Sequence, residues 1–257
     1  MKETTAFSSK VSGLVITFNE EKNIGEVLKC FDFCDEIIIV DSFSTDNTLE
    51  IARTFPNVKI IQNKFEDFTK QRNFALDAAK NDWVLFLDGD ERITPKLREE
   101  IITELSKSKK KEAYYFYRKF YFAGKPINYS GTQTDKNFRL FRKSKARYIA
   151  EKKVHETLMV NGEIGELKNK LLHYSVTDYE SYRKKMIHYG ILKGQELAQK
   201  GKKYNILTQY AKTGFKFFKG YVIRLGFLDG KFGFILNKLQ AFSVWETHES
   251  LKRENRK

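Results

Sequence analysis

The stretch Val84-Leu85-Phe86-Leu87-Asp88-Gly89-Asp90-Glu91 decides how this chain is read. Four apolar residues in a row make the short continuous run of a strand buried on both faces. The run stops at three acids interrupted by one glycine. On extended chain Asp88 and Asp90 lie two apart, so their side chains can point to one side. Gly89 removes the side chain between them and lets a bulky ligand approach the backbone. Thr94-Pro95 follows as a helix N-cap with proline in the first turn. Carboxylates at the carboxyl end of a buried strand lie where an open α/β sheet binds its ligand. Hard oxygen ligands favour Mg²⁺ or Mn²⁺, which commonly bridge protein carboxylates to substrate phosphates. The competing reading is a solvated acidic turn after a core strand, and the residues upstream decide between the two.

Leu14-Val15-Ile16 reads as a first strand ending at Thr17-Phe18-Asn19-Glu20. Ile24, Val27, Leu28 and Phe31 then recur at helical spacing, and Asn23 with Glu26 three residues on has the form of a capping box. Glu36-Ile37-Ile38-Ile39-Val40 is a β-branched central strand ending on Asp41. Asp46 is placed to cap the next helix, through Ile51 and Ala52. Val58-Lys59-Ile60-Ile61 is a third strand, and Gln71 to Ala79 a helix with Phe74, Ala75, Ala78 and Ala79 on one face. Three strand–helix units and the strand at Val84 predict a parallel, doubly wound α/β sheet. It is not the dinucleotide-binding version, because no G-x-G-x-x-G follows the first strand and no P-loop occurs. Instead Asn19-Glu20, Asp41 and Asp88 close successive strands. That pattern suits a site that grips base and ribose by hydrogen bonds and leaves phosphate charge to a metal.

The charge of the 257 residues is divided unevenly. Residues 1–105 carry 13 Lys+Arg against 20 Asp+Glu, and residues 106–257 carry 34 against 13, a net of +21. The basic part predicts an anionic partner: nucleic acid, an anionic membrane or a phosphorylated glycolipid. Hydrophobic content of 41% with only 3 prolines excludes a disordered chain. Cys30 and Cys34, without a metal set around them, are expected as reduced thiols. The first ten residues lack the apolar core of a signal peptide, and no run approaches the roughly 18 apolar residues of a membrane span. A cytoplasmic protein is expected, soluble or lying on the inner face of the cytoplasmic membrane.

After Leu105 the aromatic run Ala113 to Phe122 suits a strand at a sheet edge or under a lid, and Asn137-Phe138-Arg139-Leu140-Phe141-Arg142 alternates like another strand. Val154-His155-Glu156-Thr157-Leu158 and Lys170-Leu171-Leu172-His173-Tyr174 set titratable groups in short apolar contexts. From Asp178 the chain reads helical, with Tyr182, Met186 and Tyr189 on one face. Residues 206–225 form a second helix with Leu207, Tyr210, Gly214, Phe218, Tyr221 and Leu225 on its apolar side and Lys212, Lys216 and Lys219 on another. Gly226-Phe227-Leu228-Asp229-Gly230 breaks it before a third helix carrying Phe232, Ile235, Leu236, Leu239 and Phe242.

Six segments taken in order resemble the GT-A-fold inverting glycosyltransferases of family two: Thr17-Phe18-Asn19-Glu20-Glu21, Val40-Asp41-Ser42-Phe43-Ser44-Thr45-Asp46, Lys70-Gln71-Arg72-Asn73, Leu87-Asp88-Gly89-Asp90-Glu91, Val154-His155-Glu156 and Gly226-Phe227-Leu228-Asp229-Gly230. The last two point within that family to the lipopolysaccharide core-biosynthesis glucosyltransferase-like group. The resemblance implies a Rossmann-like, mostly parallel sheet with flanking helices over residues 1–175, in which 1–105 binds the nucleotide sugar and 106–175 supplies the acceptor side and catalytic base. Residues 176–257 would be a basic amphipathic helical extension. The implied reaction moves a hexose from a nucleotide-sugar donor, UDP-sugars first, to a hydroxyl of a lipid-linked or oligosaccharide acceptor in lipopolysaccharide core or other cell-surface glycan assembly. Thr17, Glu20 and Asp41 match positions that hold base and ribose, and Asn19 and Lys70 fall in the same donor-binding motifs. Arg72 matches a basic residue near base and diphosphate, Asp88 the acid near the ribose, and Asp90 the acid that binds Mg²⁺ or Mn²⁺. Glu156 matches the late carboxylate that acts as base, although the family often has Asp within a Glu-Asp pair where this chain has His155-Glu156. His173 stands where some GT-A enzymes use a late histidine for metal or phosphate.

Blander readings stand beside these. Asp41 can be a strand end, Arg72 a solvated helix residue, and His155 a histidine packed in a small sheet. The aromatics of 114–122 are core more readily than sugar platform, and the lysine stripe of the second helix can be a solvated face. Two other functions also compete. A basic protein that binds membrane or nucleic acid without catalysis explains the charge, but its polyanionic partner would be repelled by acids at three strand ends. A nucleotidyltransferase on a similar sheet would carry a Gly-rich basic signature after the first strand, and Thr17-Phe18-Asn19-Glu20 is not one. The C-terminal helices are expected to meet an anionic membrane surface, with acceptor recognition or pairing of two copies as the rival uses. Nucleic acid is not expected as a partner.

Overall fold

The computed structural model describes residues 9–152, 155–176 and 178–257, with side chains outside 150–156. The chain forms two compact units, Met1–Arg118 with Lys136–His173 and Lys119–Asp135 with Tyr174–Lys257.

The first unit begins with the alternation predicted from sequence: β1 (Val11–Thr17), α1 (Ile24–Leu28), β2 (Glu36–Asp41), α2 (Thr48–Arg53), β3 (Val58–Gln62), α3 (Phe68–Ala78) and β4 (Trp83–Phe86). Strands β3, β2, β1 and β4 lie side by side in that order, and every pairing among them is parallel. Side-chain parity explains why these strands are apolar throughout. Val11, Val15, Ile37, Ile39 and Leu85 join one core with α1 and with Leu97 and Ile101 of α4 (Pro95–Ser106). Leu14, Ile38, Val40, Val84 and Phe86 join the other with Ala75 and Leu76 of α3. A sheet covered on both faces needs apolar residues at both parities.

Between β4 and α4 the short β5 (Glu91–Arg92) leaves the parallel set. After α4 come β6 (Ala113–Phe122), β7 (Lys125–Pro126), β8 (Lys136–Arg142), β9 (Ala146–Lys152), β10 (His155–Val160) and β11 (Ile164–Val176). The sheet continues from β4 as β8-β6-β11-β5, with β8 antiparallel to β4 and β6, while β9 and β10 form a separate antiparallel ribbon. The expectation of an edge strand at 113–122 is corrected here: β6 lies between β8 and β11, and Ala113, Tyr114 and Phe116 are core.

Local signals fared unevenly. Thr94 caps α4 as predicted, its hydroxyl accepting from the Leu97 N–H at 3.2 Å. The Asn23–Glu26 capping box does not form, because the Asn23 amide turns back to donate to Glu20 at 2.7 Å. Helix α3 buries Gln71, Arg72, Ala75 and Leu76, rotated from the expected face, and leaves Phe74 exposed. Cys30 and Cys34 are free thiols.

In the second unit, α5 (Tyr179–Gln199) and α7 (Gly230–Glu254) lie against each other so closely that a Cβ at Gly190 would stand 2.7 Å from the Ser243 carbonyl. Phe122, Ile127, Tyr182, Met186, Leu236 and Leu239 fill its core. The second predicted helix is shorter than 206–225: α6 (Ile206–Phe218) passes into a π-helical turn at Lys219–Ile223 and a 3-10 turn at Gly226–Asp229. The Gly226–Gly230 motif is a clamp, because Asp229 accepts the N–H groups of Asn128 and Tyr129, both at 2.9 Å. Asp229→Ala should therefore cost about 1–2 kcal/mol in urea unfolding, with Asp229→Asn losing less. Equal stability of all three proteins would refute the clamp.

Candidate active site

Asp88 continues the parity of Val84 and Phe86 and so emerges on the α3 side of the sheet. Arg72 of α3 meets it there, its guanidinium donating to Asp88 Oδ1 at 2.7 Å. The same guanidinium lies 4.8 Å from the Phe86 ring centre and 5.5 Å from that of Tyr148, and Arg72 is only 6% exposed. The solvated reading of Arg72 is thereby excluded. Arg139 of β8 donates to Asp88 Oδ2 at 2.5 Å and reaches both oxygens of Glu91, at 2.7 and 2.8 Å. The Asp88 N–H also donates to Glu91 at 3.2 Å. Burial alone would push the Asp88 carboxyl up, but Arg139 and Arg72 hold it well below the usual carboxylate range.

Of the three acids that end the apolar run, then, Glu91 is structural: it is fully buried and paired with Arg139. Asp90 pairs elsewhere. Its Oδ2 lies 3.4 Å from Nε2 of His173, which β11 delivers opposite Glu91 in the β5 pairing. Gly89 admits the Glu20 carboxyl to this turn, since a Cβ there would stand 3.2 Å from the Glu20 carboxyl carbon. Burial pushes the Glu20 carboxyl up, and the Asp90 and Asp46 carboxylates add to the rise against the Asn23 hydrogen bond and Arg92. Arg92 locks the turn by donating to the Gly89 carbonyl at 2.6 Å and the Asn23 carbonyl at 3.2 Å.

The loops after β1 and β2 are tied together beside it. Asn19 takes a left-handed backbone, φ 54°, a conformation that Asn tolerates well. Its side-chain oxygen accepts from the Thr45 N–H at 2.8 Å, while its own N–H donates to Ser44 Oγ at 2.9 Å. Asp46 accepts from Thr48 N–H and Glu21 N–H, so it holds the start of α2 and the first loop at once. Asp41 is fully buried and accepts from both the N–H and the hydroxyl of Ser44. Thr17 is buried, and its hydroxyl has no hydrogen-bond partner among the described residues.

The structure thus brings Glu20, Asp88, Asp90, Arg72 and His173 around one turn, with Asn19 in the tied loops next to it and Thr17 and Asp41 at the strand ends that lead into them. Lys70 is not brought in: it faces outward, 2.5 Å from Glu66 just ahead of the helix. The side chains of Glu156 and His155 lie outside the described residues. Sequence reasoning missed Arg139 and Arg92. An arginine between Phe138 and Leu140 in a strand pattern is the available signal, because a buried Arg demands a carboxylate.

Among the described residues no group of three or more His, Cys, Asp or Glu is arranged to cage an ion. Asp90 and His173 nevertheless fit one. An oxygen and an imidazole nitrogen suit Mn²⁺, or Mg²⁺ through the carboxylate, when phosphate oxygens and water complete the shell. The crowding of Glu20, Asp46 and Asp90 carboxylates also favours added positive charge.

Comparison with known proteins places the chain among glycosyltransferases. The chain is 26% identical over 257 residues to the lipopolysaccharide core biosynthesis glycosyltransferase LpsC of Rhizobium meliloti, covering 95% of each. It is 30% identical over 250 residues to an uncharacterized glycosyltransferase of Rickettsia typhi, covering 91% of this chain and 84% of that one. The crystal structure of S. aureus TarS 1-349 aligns with a TM-score of 0.48 at 19% identity, over 96% of this chain and 90% of that chain. The family model of glycosyl transferase family 2 matches residues 12–159, from β1 through the acid turn and into β10. With more than half its length and its whole strand-end acid set inside that match, the chain belongs to glycosyl transferase family 2.

Proposed function

We propose that this family-2 glycosyltransferase moves a hexose from a nucleoside-diphosphate sugar, with UDP-sugars the first candidates, to a hydroxyl of a lipid-linked or oligosaccharide acceptor, inverting the anomeric centre. The observation that carries the reading is the Asp88-Gly89-Asp90 turn held between Glu20 and His173 at the end of a central parallel strand. Likeness to an enzyme named for lipopolysaccharide core biosynthesis supports an acceptor in cell-surface glycan assembly.

In this reading Asp88, kept ionised by Arg72 and Arg139, accepts hydrogen bonds from ribose hydroxyls. The loops of Thr17, Asn19 and Glu20 and of Asp41 to Asp46 hold the base and ribose side, with Asp41 acting by shaping its loop around Ser44. Asp90 and His173 would hold Mg²⁺ or Mn²⁺, whose charge offsets that developing on the departing diphosphate. Glu156 takes the proton of the acceptor hydroxyl as its oxygen bonds to the anomeric carbon. The bond from that carbon to the diphosphate oxygen breaks from the opposite face, so no covalent enzyme intermediate forms.

The test is turnover of a panel of nucleotide sugars with Mn²⁺ and an oligosaccharide acceptor. Nucleoside diphosphate should be released and EDTA should stop the reaction. Asp90→Asn should raise the Mn²⁺ concentration for half-maximal rate by at least roughly ten- to a hundredfold, the loss seen when even outer-shell support of a metal is removed. Pyrophosphate as product would replace the reading with nucleotidyl transfer, and full activity in EDTA would remove the metal from it.

A further inference from the structure

Helix α6 packs on α7 through Gln209 together with Tyr210 and Phe217, whose rings meet those of Trp245 and Phe234 at 5.2 and 5.7 Å. Gln209 is fully buried, its amide donating to Glu249 Oε1 at 2.9 Å and its oxygen accepting from the Tyr204 hydroxyl at 2.8 Å. At about 100° per residue, the side of α6 opposite Gln209 carries Leu207, Phe215 and Phe218. These are 75%, 58% and 50% exposed. The turn after α6 extends this surface with Val222, Ile223 and Leu228, all exposed. A surface helix ordinarily turns its apolar residues to the core; α6 carries a second apolar set on its outward side, and a contiguous exposed apolar surface marks a binding face.

The charge around the face identifies what covers it. Lys212 and Lys219 run along one flank of the apolar stripe, Arg224 and Lys231 follow in the turn, and all four are exposed. Between residues 206 and 231 the one acid is Asp229, already occupied by the Asn128 and Tyr129 N–H groups. A two-fold contact with a second copy would bring this basic rim against itself. A helix with apolar residues at the centre of its outward face and lysines at the margin instead matches a helix lying in a lipid interface. Among the described residues no helix is long and apolar enough to cross a membrane. We propose that α6 and the turn following it lie in the surface of an anionic phospholipid bilayer, inserting Leu207, Phe215 and Phe218 among the acyl chains while Lys212, Lys219 and Arg224 meet lipid phosphates. The proposal is independent of the donor chemistry.

Co-sedimentation of the full chain with phosphatidylcholine vesicles, with and without phosphatidylglycerol, tests it. Binding should require phosphatidylglycerol and fall as salt rises. Lys212→Glu with Lys219→Glu should reduce partitioning by about 25-fold or more, from roughly fivefold per basic residue at such a surface. Leu207→Ser with Phe218→Ser should abolish binding, with an unchanged thermal unfolding curve showing that the fold is kept. Two results overturn the proposal. One is failure of the unaltered chain to bind phosphatidylglycerol vesicles at low salt. The other is a dimer in sedimentation equilibrium that the Leu207→Ser, Phe218→Ser protein loses, which would assign the face to a second copy.

Discussion

Arg139→Met should destabilise the first unit by about 3–5 kcal/mol in urea unfolding, a large part of a domain's usual stability. Arg139 is 3% exposed and holds two carboxylates, Glu91, which has no exposure at all, and Asp88. Removing it leaves Glu91 charged in the core, with Arg118 at 3.5 Å as a more distant cation. The loss is mainly the burial of unpaired charge, so Glu91→Gln placed on top of Arg139→Met should recover part of it. Additive losses in the double variant would refute this account. The acid limb gives a second readout. Arg139 and Arg72 depress the folded-state Asp88 carboxyl, so the unfolded chain binds that proton more readily. The associated stability is present above the unfolded carboxylate pKa of about 3.9 and is lost as pH falls below it. Without Arg139 the depression shrinks and stability should fall less steeply across that window. An unchanged acid slope would show that Arg72 alone sets the Asp88 charge.

What was legible in sequence follows from how local each signal is. The strands at Val11–Thr17, Glu36–Asp41 and Trp83–Phe86 were readable because burial on both faces forces unbroken apolar runs, and no later contact can reverse that requirement. The Asp88-Gly89-Asp90 turn was readable for the same reason, as acids that end such a run have nowhere to hide. Arg139 and Arg92 were not. Their roles depend on side chains 48 residues apart in sequence meeting, or on an arginine folding back over its own turn. Asn23 failed as a cap because Glu20 offered its amide a nearer acceptor. The apolar stripe of α6 was visible, but periodicity says only that a helix has two faces. Which face meets the protein is decided by Gln209 finding Glu249 and Tyr204 and by Tyr210 and Phe217 packing on Trp245 and Phe234.

Glu156→Gln should lower turnover by roughly two to four orders of magnitude while leaving donor affinity nearly unchanged. The amide keeps the shape of the carboxylate and cannot accept the acceptor's proton. The choice of residue rests on the family's late carboxylate motif, and the backbone around it adds a second argument. Strand β10 pairs with β9, and the register shifts between His155 and Thr157, so one extra residue of β9 stands opposite Glu156. Irregularities of this kind are concentrated beside active sites. The same ribbon is anchored to the Asp88 cluster: Asn73 of α3 exchanges hydrogen bonds with the Tyr148 backbone at 2.9 and 3.1 Å, and the Tyr148 ring lies against Arg72. Strand β10 is thereby tied, through β9, to the helix whose Arg72 holds Asp88. The pH–rate profile separates a base from a binding residue. The unaltered enzyme should lose kcat on the acid side as one carboxyl protonates, and the Gln variant should lose that limb together with its rate. Normal turnover by Glu156→Gln would move the role to Asp135, Glu151 or His155, and the same substitution applied to each in turn would find it.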